Sequence, residues 1–448
     1  MMRIAMVSEH ASPLALLDGQ LGGQLGGQDA GGQNVHVAAL SQALAARGHE
    51  VVVYTRRDDP ALPACQPFAP GVEVVHLDAG PPLPLPKDDL VDHVPAMGAA
   101  IAADWALRGV PDVVHAHFWM SALATGIAVR SLPVGARRPR TAVTFHALGA
   151  VKARHQGVLD TSPPQRVAAE QAVMQEVDAV VATCSDEVAE LLAQGADPHR
   201  LHVVPCGVDL LTFTPEGRRL VPWSPDVARL LVLGRLVERK GVDTAIAALA
   251  DVRDAELVVA GGSADAGSDP DVTRLRAAAH EAGVTDRVRF VGRVDPQDAA
   301  ALMRAADLVV TVPWYEPFGI VPLEAMACGT PVVASEVGGM LDTVQDGVTG
   351  VLVPPRDPAA LATAVTDLLG RPGELVRRGR AAAEHVAATY GWDRVAADTE
   401  AVYRAMITDE VLVDLTAHDL PRSPHLSHDL THDMTHDAIQ PARHEEAR

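Results

Sequence analysis

Residues 230–251, LLVLGRLVERKGVDTAIAALAD, decide the fold class. The stretch begins with a continuous run of leucine and valine, turns at Gly234, and continues after Gly241 as an alanine-rich segment with a helical pattern. An apolar run without polar alternation is typical of a parallel strand that is covered on both faces. The stretch therefore predicts a strand–turn–helix unit, with a strand over 230–236 and a helix over 242–251.

Units of the same kind recur on both sides of this stretch. Before it, strands are predicted at residues 3–8, 50–55, 72–77, 112–117, 141–146, 179–184 and 201–205, with helices over 33–47 and 165–177. After it, strands are predicted at 256–260, 288–291, 308–312, 331–334 and 350–353, with helices over 271–282, 296–305 and 358–369. Strands that alternate with helices favour doubly wound α/β domains with parallel sheets.

The chain divides at residues 214–225, which carry three prolines and little periodicity and are typical of a linker. We therefore expect one Rossmann-like domain over 1–213 and a second over 214–391, with a ligand cleft at the carboxyl ends of their strands. The helical pattern at 392–408 predicts a C-terminal helix that returns to the N-terminal domain. The His/Asp-rich residues 409–448 are predicted to be disordered, because they offer too little apolar surface to fold alone.

Charge and composition exclude several classes of protein. The 37 basic and 58 acidic residues give a net charge of −21, which argues against a nucleic-acid partner. The four cysteines form no Cys-x-x-Cys pair, which argues against a zinc ribbon or a thioredoxin motif. No apolar run approaches the ~18–20 residues of a transmembrane segment, and the N-terminal MMRIAMVSEH is too short in apolar length for a signal peptide. We therefore expect a cytoplasmic protein.

Three segments at the predicted cleft suit an anionic ligand. The first is the end of a glycine-rich loop, Gly31-Gly32-Gln33-Asn34, between the first strand and the first helix. Glycine lets the backbone approach a ligand, and the free N–H groups at a helix start attract anions. The loop matches neither G-x-G-x-x-G nor G-x-x-x-x-G-K-[ST], so the sequence supports neither a dinucleotide-binding motif nor a P-loop. An ordinary strand–helix turn is the alternative.

The second segment is the turn at residues 234–241, GRLVERKG, at the end of the strand quoted above. It places Arg235 and Lys240 five residues apart, so that both side chains can face the cleft. Two cations at the carboxyl end of a strand suit a diphosphate. A solvated loop with surface charges is the alternative.

The third segment is EPFGIVPLEA at residues 316–325, in which Glu316 and Glu324 flank a predicted helix start. A carboxylate on an apolar helix face is costly without a partner, and ribose or sugar hydroxyls would supply partners. Backbone N–H groups near Gly319 and Ile320 are placed to meet an anion. Two capping glutamates are the alternative.

Together these segments resemble the retaining glycosyltransferases of family 4, which adopt the GT-B fold of two Rossmann-like domains. The resemblance covers nearly the whole chain except its tail. Within the family, SEHASPLA and DAGGQNVHV are similar to the mycothiol-pathway enzymes that glycosylate inositol phosphate, and FHALGAVKARHQG is similar to sucrose-phosphate synthases. The resemblance implies that a hexosyl group moves from a nucleoside-diphosphate sugar on the C-terminal domain to a small acceptor on the N-terminal domain.

The resemblance also implies which residues hold the donor. These are Gly31, Gly32, Arg235, Lys240, Arg293, Glu316, Phe318, Gly319, Ile320 and Glu324. In this assignment Arg235 and Lys240 bind the diphosphate, Glu324 binds the ribose and Glu316 binds the sugar. His146 would lie beside the transferred sugar, and with Glu316, Arg235 and Lys240 it completes the predicted catalytic set. A histidine that is merely satisfied at a strand end is the alternative for His146.

The implied acceptor site lies in the N-terminal domain. Its residues are His10, Asn34, Lys87, His117, Lys152 and Arg166, with a structural role as the alternative for His117. Where the inositol-phosphate enzymes carry a tyrosine and a threonine, this chain has Phe118 and Ala147. Three converging cations in so acidic a chain would repel one another without a ligand, so a sugar or polyol phosphate is the expected acceptor.

The family implies front-face attack by the acceptor hydroxyl, with the departing phosphate taking its proton. Arg235 and Lys240 would stabilise the leaving group, so no metal or other cofactor is required, although Mg²⁺ is compatible with this mechanism. A GT-B-like sugar-nucleotide epimerase or hydrolase, which would lack an acceptor pocket, is one rival. A metal-binding or sensing protein that uses the histidines of the tail is another. A homodimer is compatible with the sequence.

Overall fold

The computed structural model of the chain describes residues 1–16, 32–263 and 269–408. The predicted ligand contact of Gly31 and the predicted disorder of the tail at 409–448 lie outside the described residues. No helix in the described ranges is long and apolar enough to cross a membrane.

The N-terminal half contains an eight-stranded sheet in the order β3-β4-β2-β1-β5-β6-β7-β8. The strands are β1 (Arg3–Val7), β2 (Glu50–Arg56), β3 (Cys65–Ala69), β4 (Val72–Leu77), β5 (Val113–His117), β6 (Arg140–Thr144), β7 (Ala179–Ala182) and β8 (Leu201–Val203). Neighbours pair in parallel except β3, which runs antiparallel to β4 at the edge. The sequence pattern does not predict β3, because Pro67 and partly exposed side chains obscure the strand pattern there.

Helices cover both faces of this sheet. They are α1 (Gly32–Ala46), α2 (Val94–Arg108), α3 (Trp119–Arg130), α4 (Gly149–Gln156), α5 (Arg166–Glu176) and α6 (Ser185–Ala193), with 3₁₀ helices at Pro13–Leu16, Lys87–His93, Gly157–Leu159 and Pro198–Arg200. All five residues of β5 are buried, as expected for a central strand covered on both faces. Trp105 and Trp119 anchor the core on one face, and Leu44 lies in the core on the other.

The C-terminal half contains a six-stranded parallel sheet in the order β11-β10-β9-β12-β13-β14. The strands are β9 (Ala228–Leu233), β10 (Ala255–Ala260), β11 (Val288–Gly292), β12 (Leu308–Thr311), β13 (Val332–Ser335) and β14 (Gly350–Val353). The helices are α7 (Val242–Leu249), α8 (Pro270–Glu281), α9 (Pro296–Ala305), α10 (Ile320–Ala327), α11 (Met340–Thr343), α12 (Pro358–Leu369) and α13 (Pro372–Thr389), with 3₁₀ helices at Glu238–Lys240 and Thr285–Arg287. Asp-Pro pairs start α8, α9 and α12, where each aspartate caps backbone N–H groups.

The last described helix, α14 (Trp392–Thr408), packs on the N-terminal half. Tyr403 is fully buried, and its hydroxyl lies 2.7 Å from Nδ1 of His115 in β5. Glu400 accepts a hydrogen bond of 2.6 Å from Nε of Arg47, just beyond α1. The C-terminal helix is therefore part of the core beneath the first sheet.

The order of each sheet reverses next to the first strand of its half. β1 lies between β2 and β5, and β9 lies between β10 and β12. At such a switch point the two following connections leave the sheet in opposite directions, which opens a crevice at the carboxyl ends of the strands. The prediction of two doubly wound parallel sheets is confirmed. The two crevices are the places where the predicted site residues are expected to lie.

Candidate active site

The starts of α1 and α10 lie against each other across the two halves. A β-carbon on Gly32 would lie 3.2 Å from Cδ1 of Ile320, the first residue of α10. Gly319 precedes α10 in the left-handed conformation, with φ +86°. The free N–H groups of both helix starts therefore point into one region, which is an arrangement suited to an anion.

Two glycines let the loops after β9 and β13 approach the loop after β12 closely. A β-carbon on Gly241, at φ +67°, would lie 2.0 Å from the carbonyl oxygen of Val312, just beyond β12. A β-carbon on Gly338, at φ +51°, would lie 1.9 Å from the carbonyl oxygen of Glu316. Both positions require glycine, because any larger residue would push these backbones apart.

Lys240 and Glu316 meet at this junction. The Lys240 ammonium donates a short hydrogen bond to Oε2 of Glu316, and Arg239 lies 3.6 Å from the same oxygen. Burial acts to raise the pKa of Glu316, but the charges of Lys240, Arg239 and Arg235 outweigh burial and hold this pKa below its ordinary value. Burial also lowers the pKa of Lys240, and the attraction of Glu316 opposes that effect. Glu316 is therefore an ionised carboxylate surrounded by three cations.

Glu324 lies one turn into α10 and has the opposite environment. Burial, and secondarily the negative charge of Asp209, raise its pKa to about 7. No described residue hydrogen-bonds with its carboxylate. A largely buried carboxylate without a cation or a donor is costly, and it can accept hydrogen bonds from a ligand.

The other predicted donor residues lie at different depths. Phe318 is buried, and its carbonyl oxygen would be 2.3 Å from a β-carbon on Gly339. Arg293 follows β11, two strands away from the Glu316 junction in the sheet order. One terminal nitrogen of Arg293 is buried without a hydrogen-bond partner in the described part of the chain.

A cluster of four histidines lies beneath the loops after β5 and β6. His117 Nδ1 is 3.0 Å from His146 Nε2, and their rings stack with centroids 5.2 Å apart. His115 stacks on the other side of His117 at 4.4 Å, and His36 from α1 contacts both His117 and His146. His36, His115 and His117 are buried, and only His146 of the four is partly exposed.

Burial keeps this histidine cluster neutral. It lowers the pKa of His36 to about 4 and that of His115 to about 3. Burial, and then the neighbouring imidazoles, hold the pKa of His117 and His146 well below the ordinary value. His146 also has an unusual backbone, because its φ is +60°. A non-glycine residue in this conformation is strained, and such strain clusters at functional sites.

The predicted acceptor residues gather around the ring of Phe118. The ammonium of Lys87 lies 3.9 Å from the ring centroid, and the guanidinium carbon of Arg166 lies 4.9 Å from it. His10 packs edge-on against the same ring, with centroids 5.3 Å apart. Phe118 itself has a φ of +87°. The face of an aromatic ring attracts cations, so Phe118 holds two positive charges at one place.

The expectation that the three cations repel one another without a ligand is wrong for two of them, because each pairs with a carboxylate. Lys152 lies 3.1 Å from Oδ1 of Asp160, and Arg166 donates to Oε1 of Glu170 at 2.8 Å. Burial raises the pKa of Glu170 above its ordinary value, and the positive charge of Arg166 offsets part of this increase. Ser162 accepts hydrogen bonds from both cations, at 3.0 and 3.2 Å. The positively charged side chains therefore do converge, but carboxylates stabilise two of them and a ligand is not required for that.

His117 and Asn34 differ in their access to a ligand. His117 is fully buried beneath His146, so direct contact with an acceptor is not available to it. Asn34 donates through Nδ2 to the carbonyl of Ser12 at 3.2 Å, and its Oδ1 is buried without a partner in the described ranges. Asn34 can therefore accept one further hydrogen bond.

The two halves also contact each other on both sides of Glu316. The Cys184 thiol donates to the carbonyl oxygen of Pro317 at 3.1 Å, and the ring of Tyr315 stacks on His155 of α4 at 4.9 Å and 9°. Nearby, Asp342 of α11 accepts hydrogen bonds from the backbone N–H and hydroxyl of Ser185, at 2.6 and 2.5 Å. Asp342 therefore caps α6 across the cleft.

Arg239, His36 and His115 belong to the site but are not among the residues predicted from the sequence. Arg239 stands beside Lys240 in the same turn, so its charge is a signal that could have been used. His115 and His117 are two residues apart in a strand, which places them on one face of the sheet. Nothing in the local sequence connects them to His36. In the described part of the chain, no group of three or more His, Cys, Asp or Glu residues is placed to hold a metal ion.

Both halves of the chain match known protein families. Residues 30–210 match the profile of Glycosyltransferase Family 4, and residues 216–385 match that of Glycosyl transferases group 1. A D-inositol 3-phosphate glycosyltransferase 2 from Catenulispora acidiphila is 39% identical over 91% of this chain and 96% of its own length. A D-inositol 3-phosphate glycosyltransferase from Xylanimonas cellulosilytica is 40% identical over 90% of this chain and 96% of its own length.

A solved structure is similar over the same extent. The sucrose-phosphate synthase from Thermosynechococcus elongatus superimposes with a TM-score of 0.78 at 31% sequence identity. The match covers 91% of this chain and 100% of that one. The two parallel-sheet halves are therefore arranged as in a GT-B protein.

Proposed function

The chain belongs to the family 4, group 1 glycosyltransferases, and from that premise we propose that it transfers a hexosyl group from a nucleoside-diphosphate sugar to a small anionic acceptor, with retention of configuration. One observation carries the proposal: Lys240, Arg239 and Arg235 surround Glu316 at the junction of two switch-point loops. A site of this kind can bind a diphosphate and a sugar side by side.

The cations are placed to assist departure of the leaving group. As the bond to the anomeric carbon breaks, negative charge grows on the diphosphate oxygens. Lys240 and Arg235, together with the N–H groups at the starts of α1 and α10, would stabilise that charge in a partly buried site. The backbone fixes these N–H groups and Glu316 holds Lys240 before the donor arrives, so little reorganisation of them is needed during the reaction.

Two carboxylates would bind the uncharged parts of the donor. Ionised Glu316 would accept hydrogen bonds from sugar hydroxyls, and Glu324 would accept them from ribose hydroxyls. Neutral His146 would lie beside the sugar. A neutral imidazole suits that position, because positive charge develops on the anomeric carbon and an imidazolium would repel it.

The acceptor would bind in the N-terminal half near Phe118. Lys87 and Arg166 both lie over this ring, and because Glu170 already pairs with Arg166, the charge of Lys87 is the main support for an anionic group on the acceptor. Phe118 has no hydroxyl to offer to that anion, so charge rather than hydroxyl hydrogen bonds would dominate recognition. A sugar or polyol phosphate has the required charge and size.

Thermal stabilisation by sugar nucleotides tests the donor. A ligand at 100 times its dissociation constant stabilises a protein by about 2.7 kcal/mol, which is readily measured. Each stabilising donor is then incubated with and without sugar phosphates, and the products are followed by NMR. Transfer with retained anomeric configuration supports the proposal. Free sugar or an epimer that forms equally well without an acceptor would instead favour a donor-only hydrolase or epimerase.

A further inference from the structure

The histidine cluster contains a hydrogen bond that the proposed chemistry does not use. His117 and His146 share it between Nδ1 and Nε2 at 3.0 Å. The other ring nitrogen of His117, Nε2, is buried and has no hydrogen-bond partner in the described ranges. His115, which stacks beneath His117, is fully satisfied by Tyr403 at 2.7 Å and Thr144 at 2.9 Å. Within this stack of three, His117 alone has a ring nitrogen that is both buried and without a partner among the described residues.

Two proton arrangements are available to a neutral His117–His146 pair. If Nδ1–H of His117 donates, then Nε2 of His146 accepts and the proton of His146 sits on Nδ1. If Nε2–H of His146 donates instead, then His117 must carry its own proton on Nε2, buried and without an acceptor. A buried N–H without an acceptor is rarer in folded proteins than an acceptor that lacks a donor. The first arrangement is therefore favoured.

We propose that His117 is a positioning residue: it holds His146 in the tautomer with the proton on Nδ1, so that His146 presents a hydrogen-bond donor to an oxygen of the transferred sugar. This inference rests on the proposed function, which places a sugar beside His146. The described residues make no hydrogen bond with Nδ1 of His146, and His146 is the one partly exposed member of the cluster. The hydrogen bond with His117 and the edge contact with His36 hold the His146 ring at this position.

The choice of tautomer at His146 decides which kind of sugar oxygen it can bind. A histidine in water prefers its proton on Nε2, so the Nδ1–H form must be imposed by the protein. With the proton on Nδ1, the ring edge facing away from His117 is a donor, which suits a sugar oxygen that lacks a hydrogen. With the other tautomer, the same edge would be an acceptor and could not bind such an oxygen.

The tautomer can be measured without any transfer reaction. Full-length protein labelled with ¹⁵N-histidine is examined by NMR, and the His146 signals are identified by their loss in His146→Asn. We expect a protonated Nδ1 on His146 in the unmodified protein, and a change to protonated Nε2 in His117→Phe. His115→Phe is the matched control, because it removes an adjacent ring that makes no hydrogen bond with His146. A protonated Nε2 on His146 in the unmodified protein would overturn the inference.

Turnover provides an independent test. His117→Asn can place an amide donor near the position of Nδ1, whereas His117→Phe preserves the ring volume but offers no donor. We expect kcat to fall about 10-fold or more in His117→Phe and to be largely retained in His117→Asn, since about one hydrogen bond is lost. Thermal stability should be lower in His117→Asn than in His117→Phe, because the smaller asparagine leaves a cavity. Equal losses of kcat in the two variants would contradict a positioning role, whereas absent transfer in the unmodified protein would instead contradict the proposed function.

Discussion

Glu324→Gln should stabilise the ligand-free protein at alkaline pH while weakening the binding of nucleotide. The folded protein raises the pKa of Glu324 to about 7, against 4.5 for an unperturbed glutamate. At roughly 1.4 kcal/mol for each tenfold change in proton affinity, this difference corresponds to a ceiling of about 3 kcal/mol. The measured effect should be smaller, because Glu324 is not fully buried and solvent screens part of the cost of its charge.

The direction of the pH dependence follows from the raised pKa. Between pH 4.5 and 7 the unfolded chain has released the proton of Glu324 and the folded protein still holds it, so the free energy of unfolding falls as pH rises. Above pH 7 the folded protein carries the full cost of an ionised Glu324. Glutamine has no such cost, so Glu324→Gln should be close to neutral at pH 4.5 and most stabilising at pH 8.

Thermal unfolding midpoints at pH 5 and pH 8 measure this difference. About 1 kcal/mol shifts the midpoint of a 150–250-residue domain by roughly 2–4 °C, so the increase at pH 8 should be several degrees. Asp209→Asn is a suitable control, because it removes the charge that contributes second to the raised pKa and should give a smaller increase. An equal change at both pH values would refute the electrostatic reasoning.

Binding of the product nucleoside diphosphate provides the second half of this test. Hydrogen bonds to an ionised carboxylate contribute about 1.5–3 kcal/mol, so Glu324→Gln should raise Kd by roughly 10-fold or more at pH 8. Isothermal titration calorimetry measures this directly. An unchanged Kd would remove Glu324 from the donor site, whatever its effect on stability.

Three further outcomes are expected. Lys240→Ala should lower kcat/KM by roughly 10²-fold in a transfer assay, within the range for loss of one electrostatic donor to a transition state, and near-normal turnover would show that the diphosphate is held elsewhere. Lys87→Ala should reduce the preference for a phosphorylated acceptor over its neutral counterpart at low salt. Rising salt should reduce the same preference in the unmodified protein. If the unmodified protein used both acceptors at equal rates at low salt, that result would argue against an anion site. Removal of residues 409–448 should preserve transfer, because the residues that anchor α14 in the core, from Val395 to Met406, are all retained. Lost activity in a well-folded truncate would place the removed segment in the site.

Much of the fold could be predicted from burial alone. β10 is buried at every position, and its sequence AELVVA is nearly continuous in apolar residues. β3 could not be predicted in the same way, because an antiparallel edge strand need not be apolar and can tolerate proline. The pairing of β1 with both β2 and β5 follows from the general topology of doubly wound sheets, not from any local feature of these strands.

The candidate site was less accessible to sequence reasoning, because partners depend on side-chain direction. Arg166 and Glu170 are four residues apart on one helix, a spacing that predicts their ion pair. The pairing of Lys152 with Asp160 spans a turn, where no regular spacing applies. The expectation of repelling cations failed because it counted positive residues without the carboxylates that accompany them.

The contacts on both sides of Glu316 connect closure of the cleft to the donor site. The N-terminal half holds Tyr315 through His155 and holds the Pro317 carbonyl through Cys184, so both chain neighbours of Glu316 are fixed from across the cleft. If the halves separated, Lys240 and Gly338 would still locate Glu316 from the C-terminal side, but its two neighbours would be free to move. Closure would therefore exclude water and order Glu316, the carboxylate proposed to bind the sugar, in one step. Because the acceptor would bind on the half that supplies His155 and Cys184, correct placement of Glu316 and delivery of the acceptor depend on the same movement.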